Sequence, residues 1–176
     1  PPGRPALYET RHVLAFAVGK PSEAFGPPYV PFDADRRIAR LPGPPFCFVD
    51  RVVHLEPEPW AMEPGGWIEA EYDAPPDAWY HAANRSRSMP FAVVLETALQ
   101  PCGWLAGYLG SALRADVDVH FRNLEGEATL HHELRTDAGT LTVRVRLTGC
   151  SEAGGMIIQT YDMQLWQRER LAYDGW

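Results

Sequence analysis

One stretch of the sequence decides the fold: Met89-Pro-Phe-Ala-Val-Val-Leu-Glu-Thr-Ala-Leu-Gln-Pro-Cys-Gly-Trp-Leu-Ala-Gly-Tyr-Leu-Gly110. This stretch is apolar on nearly every side, which predicts a buried helix from about Phe91 to Leu113. Pro101 has no backbone N–H to donate, so it predicts a kink or a short break near Gln100. A helix that is apolar almost all round must be wrapped by other elements rather than laid on one of them.

The helical stretch carries a single carboxylate, Glu96. Burying an unpaired charge costs several kcal/mol, so a carboxylate in an apolar helix needs a partner or a function. Glu96 lies early in the helix, where the positive end of the helix dipole favours an anion. We therefore expect a catalytic acid or base in an apolar tunnel. A buried structural carboxylate that pairs with an arginine is the alternative.

Composition limits the class of protein. The chain has 176 residues, 45% of them apolar, which is enough for one domain with a core. Its net charge of −7, without a basic run, argues against nucleic acid as a partner. The sequence contains no uninterrupted apolar run long enough to predict a membrane span, and no signal peptide is recognisable. Three widely spaced cysteines indicate a reducing cytoplasm, and the start at Pro1 indicates a piece of a longer polypeptide.

On both sides of the helix the pattern favours β-structure. We expect a proline-rich, ordered lead-in over residues 1–45 that packs on a domain over residues 46–176. Residues 78–88 read as a polar loop. Runs with strand-like composition or alternation predict strands over residues 47–55, 67–72, 117–121, 128–134, 141–147 and 156–166.

The order of these elements predicts an α+β fold. Two strands precede the helix and four follow it, with short connections that suit antiparallel hairpins. A bent antiparallel sheet wrapped around one long central helix is the hot-dog architecture, and this is the fold that we expect.

Several motifs resemble a known family. Arg40-Leu41-Pro42, Phe48-Val49-Asp50-Arg51-Val52, Met89-Pro90 and Leu95-Glu96 follow the order seen in FabA-like 3-hydroxydecanoyl-ACP dehydratase/isomerases. Residues 98–104 and 119–124 are more similar to the dehydratase domains of polyunsaturated fatty acid synthases and related iterative polyketide synthases. The resemblance covers nearly the whole chain.

The resemblance implies removal of water from 3-hydroxyacyl thioesters on acyl carrier protein. In that family a His acts as base on the C2 proton, and an Asp or Glu acts as acid on the departing hydroxyl. The two groups come from opposite subunits of a hot-dog dimer or from two fused hot-dog domains. Backbone N–H groups at the start of the helix polarise the thioester carbonyl. The resemblance implies no metal and no cofactor apart from the phosphopantetheine that carries the substrate. The expected partners are acyl carrier protein and a second hot-dog domain, as a homodimer or fused downstream.

By the same resemblance, Glu96 matches the family carboxylate, since it follows Met89-Pro90 at the family distance. Gln100 matches the glutamine one helical turn on, which orients that carboxylate. The family glycine after Met-Pro is Phe91 here. The expected substrate-binding residues are Met89, Pro90, Phe91, Asn84 and Gly103.

The family histidine is the main departure. The family pattern Trp-Phe-Phe-x-Cys-His-Phe corresponds here to a shorter loop that begins at Trp79. Counting forward from Trp79 puts Asn84 in the position of the His, whereas counting back from Met89 reaches Ala82, beside His81. His81 is the expected catalytic base if the loop is rearranged. The alternatives are a loop histidine packed beside its neighbour and a His supplied by a second hot-dog domain.

Three functions remain open from the sequence. The first is a 3-hydroxyacyl-ACP dehydratase, complete or as one half of a site. The second is a non-catalytic hot-dog half that supplies the carboxylate or serves as a scaffold. The third is a hot-dog thioesterase, since a fold does not determine chemistry.

Overall fold

The computed structural model describes residues 4–176. Four helices occur, α1 Thr10–Val18, α2 Pro21–Phe25, α3 Trp79–Asn84 and α4 Phe91–Tyr108, with 3₁₀ turns at Pro27–Phe32 and Ser111–Arg114. Six strands form one antiparallel sheet in the order β1-β2-β4-β5-β6-β3. Their bounds are β1 Arg51–Leu55, β2 Gly65–Ala74, β3 Ala128–Leu130, β4 Gly139–Ala153, β5 Met156–Gln167 and β6 Arg170–Gly175.

The sheet packs around α4, which contacts β2, β4 and β5. Bulges shift the register in four of its five strand pairs, and bulges bend and twist a sheet. Alternate residues of β4 point into the core and are completely or almost completely buried, namely Leu141, Val143, Val145 and Leu147. The predicted hot-dog fold is confirmed.

The central helix differs from its prediction at both Pro101 and its end. It continues through Pro101, so the predicted alternative of a short break is wrong, while the alternative of a kink stays a prediction. The loss of one backbone hydrogen bond is tolerated because the surrounding turns are packed in the core, with Ala98 and Leu105 fully buried. α4 ends at Tyr108, and Gly110 in the left-handed region (φ 83°) leads into the 3₁₀ turn that follows.

Two predictions about strands and loops are wrong, and one strand was not predicted. Residues 117–121 form no strand, since Val119 alone among them bonds through its backbone N–H, to the Arg37 carbonyl. The polar loop at 78–88 contains α3, and β6 was missed. The two-residue turn between β5 and β6 is Arg168-Glu169, which lacks the Gly, Asn or Asp residues that mark such turns in a sequence, although Arg168 adopts a positive φ of 57°.

The described part of the lead-in packs on the C-terminal half of α4. The Tyr29 hydroxyl donates a hydrogen bond to the Gly107 carbonyl. A Cβ at Gly107 would lie 2.7 Å from the Phe25 ring, so α2 and α4 approach closely only because Gly107 has no side chain. The division at residue 45 stays a prediction, and residues 1–3 lie outside the described part.

Within residues 4–176, no helix combines the length and the apolar character that a membrane span requires.

Candidate functional site

Glu96 lies on the uncovered face of α4. Its helix buries one face in this region, through Val93, Val94, Thr97 and Ala98, and leaves Glu96 exposed. The expectation of a buried carboxylate is therefore wrong for the single chain. The physical reason is that the core surrounds only the C-terminal half of α4. In the N-terminal half the core covers one face, and the opposite face, with Glu96, stays exposed.

Gln100 is the immediate partner of Glu96. The Gln100 Nε2 donates to Glu96 Oε2 at 3.3 Å and to the Phe46 carbonyl at 2.8 Å. The Gln100 Oε1 accepts from the Phe48 N–H at 2.7 Å. Since a backbone N–H can only donate and a carbonyl can only accept, these two bonds determine which end of the amide faces Glu96. These bonds engage backbone groups of residues 46 and 48, beside and within the predicted strand 47–55. Strand β1 therefore begins only at Arg51.

The start of α4 offers unsatisfied donors beside this pair. The Pro90 carbonyl accepts from the N–H groups of Val93 and Val94, at 2.9 and 3.1 Å. The N–H groups of Phe91 and Ala92 bond to no other group in residues 4–176. Both residues are exposed, so these two donors are available to an anion or a polarised carbonyl.

Met89 and Phe91 differ in their surroundings. Met89 is buried, and its N–H donates to the Leu134 carbonyl at 2.6 Å, which attaches the start of α4 to the segment before β4. The Phe91 side chain is 54% exposed, and its ring centroid lies 6.3 Å from that of Tyr173.

His81 lies on α3, whereas Glu96 and Gln100 lie on α4. The His81 side chain is 8% exposed and packs edge-on against the Tyr80 ring, with centroids 4.7 Å apart. The His81 Nδ1 is buried and has no hydrogen-bond partner in the described chain. Neither a hydrogen bond nor an ion pair links it to Glu96 there. Asn84 is the exposed last residue of α3.

The surroundings of Gly103 are already filled by this chain. A Cβ at Gly103 would lie 3.2 Å from the side chains of both Leu41 and Phe121. Its predicted role in substrate binding stays a prediction, as do those of Met89, Pro90, Phe91 and Asn84.

An exposed aromatic pair beside Gln100 was missed from the sequence. The rings of Phe46 and Trp79 meet edge-on with centroids 4.9 Å apart, and the Trp79 indole donates to the Pro45 carbonyl at 3.1 Å. The Phe46 carbonyl and the Glu96 carboxyl both accept from the Gln100 side-chain amide, which links the aromatic pair to Glu96. Two aromatic residues 33 positions apart carry no local signal that they meet.

Beneath this pair lies a group of side chains in which burial disfavours ionisation. Burial raises the pKa of the Asp50 carboxyl and of the Cys47 thiol. Burial also raises the pKa of Tyr72, whose hydroxyl lies 3.4 Å from that of Tyr80. These groups therefore keep their protons to a higher pH than usual.

The sequence of the chain is similar to those of known proteins. A family model described as a FabA-like domain matches residues 41–175. The chain is 30% identical, over 93% of its length, to a subunit of a polyunsaturated fatty acid synthase from Thraustochytrium sp., and it spans only 12% of that much longer relative.

Solved structures are more distant. A proposed thioesterase, described as phenylacetic acid degradation-related, from Ralstonia eutropha is 17% identical with a TM-score of 0.42, over 62% of this chain and 71% of that one. A hypothetical thioesterase with coenzyme A from Streptococcus pneumoniae is 12% identical with a TM-score of 0.42, over 69% of this chain and 79% of that one.

Proposed function

Because the chain belongs to the FabA-like domain family, we propose that it removes water from 3-hydroxyacyl thioesters carried on acyl carrier protein. One observation carries the proposal: an exposed Glu96 whose carboxyl is oriented by Gln100, on the first turns of a helix with two free N–H donors. A carboxyl and a carbonyl-binding donor pair are two of the three elements that such a reaction needs.

The orientation of Gln100 assigns roles to the two oxygens of Glu96. Oε2 accepts the Gln100 N–H, so the proton of the neutral acid is carried on Oε1. In the proposed reaction a base removes the C2 proton, and the electron pair of that C–H bond forms the C2=C3 double bond. The C3–O bond breaks, and Oε1 gives its proton to the departing hydroxyl, which leaves as water. The free N–H groups of Phe91 and Ala92 stabilise the negative charge that develops on the thioester oxygen.

We propose that the base belongs to a second hot-dog domain. Within the described chain no hydrogen bond or ion pair joins His81 to Glu96, so the proposal takes His81 of a second copy, placed opposite the uncovered face of α4, as the candidate base. In this arrangement Nε2 of His81 would be the base, because Nδ1 is buried within its own chain.

A non-catalytic hot-dog half is the second candidate function. It is favoured by Asn84, which occupies the position of the family His when counted from Trp79 and lies exposed at the end of α3. In that case this chain supplies Glu96 and Gln100 to a site whose His lies on a different domain.

Mixing two inactive variants tests the proposal. Mass spectrometry would follow 3-hydroxyacyl-ACP and enoyl-ACP in both directions, with wild type, Glu96→Gln and His81→Ala. Glu152→Gln, an exposed glutamate on the β4–β5 hairpin, serves as the matched control. We expect both site variants to lose activity by about 10²–10⁴-fold and the control to retain it. A mixture of the two site variants regains activity if the acid and the base come from different copies. An inert wild type would overturn catalysis by this chain alone and favour the non-catalytic half.

A further inference from the structure

The tryptophan that begins α3 contacts the segment before β1. The Trp79 indole N–H donates to the Pro45 carbonyl at 3.1 Å, and its ring meets the Phe46 ring edge-on with centroids 4.9 Å apart. The Phe46 N–H donates to the Gly43 carbonyl at 3.0 Å. The peptide unit between Pro45 and Phe46 is therefore held at its carbonyl by Trp79 and at its N–H by a tight turn.

Few side chains fix this segment. Within residues 4–176, the carbonyls of residues 43–48 accept from only two side chains, those of Trp79 and Gln100. The two accepting carbonyls belong to the adjacent residues Pro45 and Phe46. Because the peptide unit between these residues is planar and rigid, a displacement of the first carbonyl also displaces the backbone that carries the second.

The Phe46 carbonyl in turn directs the Gln100 amide. Gln100 is buried, and its Nε2 donates to the Phe46 carbonyl at 2.8 Å and to Glu96 Oε2 at 3.3 Å. The two hydrogens of an amide nitrogen lie in the plane of the amide, so the direction of one fixes the direction of the other. A shift of the Phe46 carbonyl would therefore turn the hydrogen that faces Glu96.

Of the bonds that this amide makes, the one to Glu96 is the most easily lost. At 3.3 Å it is longer than the bonds of 2.7 and 2.8 Å to Phe48 and Phe46, and it lies beyond the usual range for an N–H···O bond. Glu96 is also exposed, so water competes for its carboxyl. A small movement of the amide would therefore cost the orientation of Glu96 before it cost either backbone bond.

We propose that Trp79 is a positioning residue for the proposed dehydration. Its indole bond fixes the backbone at residues 45 and 46, and that backbone holds the Gln100 amide against Glu96. The inference rests on the proposed function, in which Glu96 is the acid. Reaction geometry tolerates little displacement, since a misplacement of about 1 Å costs about 10²-fold in rate. Loss of the indole bond therefore slows the chemical step and leaves substrate binding unchanged.

Steady-state kinetics of Trp79→Phe test this role, because phenylalanine keeps an aromatic ring and removes the indole N–H. Trp60→Phe is the matched control. Trp60 and Trp79 are 45% and 40% exposed, and the Trp60 indole donates to the Phe25 carbonyl at 3.0 Å. Trp60 lies beside Tyr108, about 18 Å from Glu96 along the axis of α4.

In Trp79→Phe we expect kcat to fall by about tenfold with KM unchanged, and in the control we expect both to be kept. A KM that rises while kcat stays the same would make Trp79 a substrate contact and overturn the proposal. Equal losses of kcat in the two variants would overturn it as well, since both would then report a loss of general stability.

A double-mutant cycle tests the route through Gln100. If Trp79 acts only through that amide, Trp79→Phe should cause no further loss of kcat in a chain that already carries Gln100→Leu. Losses that multiply would show that Trp79 acts by another route, which would refute the proposal.

The Gln100 side-chain amide gives a readout that needs neither substrate nor the Gln100→Leu variant. In NMR of isotopically labelled protein, exchange of its Nε2 hydrogens with solvent should be faster in Trp79→Phe than in wild type and unchanged in Trp60→Phe. Unchanged exchange in Trp79→Phe would refute the positioning role. Faster exchange beside a wild type that is inert as a dehydratase would support the contact between Trp79 and the Gln100 amide and reject the proposed function alone.

Discussion

The Gln100 amide donates to the Glu96 carboxylate across one turn of α4, with 3.3 Å between Nε2 and Oε2. The other bonds of that amide reach backbone groups 52 and 54 residues away in sequence. The orientation of the candidate acid therefore depends on the segment before β1 as much as on the helix.

Replacing Gln100 should destabilise the fold. Gln100→Leu leaves the buried Phe48 N–H and the part-buried Phe46 carbonyl without their partner, and the unsatisfied buried N–H alone costs about 1–3 kcal/mol. We expect the free energy of unfolding to fall by about 2 kcal/mol or more in urea denaturation. Gln164→Leu is the control, since the Gln164 side chain accepts only the Trp166 indole N–H within residues 4–176, and should change stability by less than about 0.5 kcal/mol. Equal losses in both variants would contradict the role given to Gln100.

Glu96→Gln should separate stability from function. Glu96 is exposed, and a glutamine at this position still offers an oxygen to the Gln100 N–H, so unfolding should change by less than about 0.5 kcal/mol. Thermal denaturation beside the dehydration assay measures both properties. A large loss of stability would mean that Glu96 is a structural carboxylate.

Two glycines of α4 should respond differently to alanine. Alanine favours a helix over glycine by about 1 kcal/mol. At Gly103 the new Cβ would lie 3.2 Å from two side-chain ends, so Gly103→Ala should be close to neutral or stabilising. At Gly107 it would lie 2.7 Å from the Phe25 ring, so Gly107→Ala should cost about 1–3 kcal/mol through overpacking. The melting temperature of Gly107→Ala should therefore be lower than that of Gly103→Ala. Equal melting temperatures would mean that α2 shifts to make room for the new side chain.

Cys102 should contribute to alkaline destabilisation. Burial raises the pKa of its thiol from 9.0 to about 12. Below pH 9 the thiol is protonated in both states, and its contribution to stability is fully present. As the pH rises from 9 towards 12 the unfolded chain loses the proton while the folded chain keeps it, so stability falls by up to about 1.4 kcal/mol per pH unit.

Replacing the thiol tests this contribution. The slope of unfolding free energy against pH should be shallower in Cys102→Ala than in wild type, measured by urea denaturation at a series of alkaline pH values. Tyrosines titrate in the same range in both proteins, so the difference between the two slopes isolates the thiol. Identical slopes would show that the thiol loses its proton equally in both states.

Much of the fold was readable from local patterns. The change from an apolar helical stretch to alternating runs predicted α4, β2, β4 and β5, because helix and strand periodicities depend on neighbouring residues. Motifs such as Leu95-Glu96 carried the family, which the match over residues 41–175 confirms. The resemblance implied that Gln100 orients Glu96 from one helical turn away, and the two side chains are hydrogen-bonded.

The tertiary structure decided which groups are covered and which are free. Whether Glu96 is buried depends on what packs over α4, and residues 117–121 failed to become a strand because no other segment of the described chain pairs with them. The bonds of Gln100 to residues 46 and 48, and of Tyr8 to Val52, join segments that lie far apart in sequence. Periodicity describes which side of an element is apolar, whereas burial and pairing are properties of the contacts that the folded chain makes.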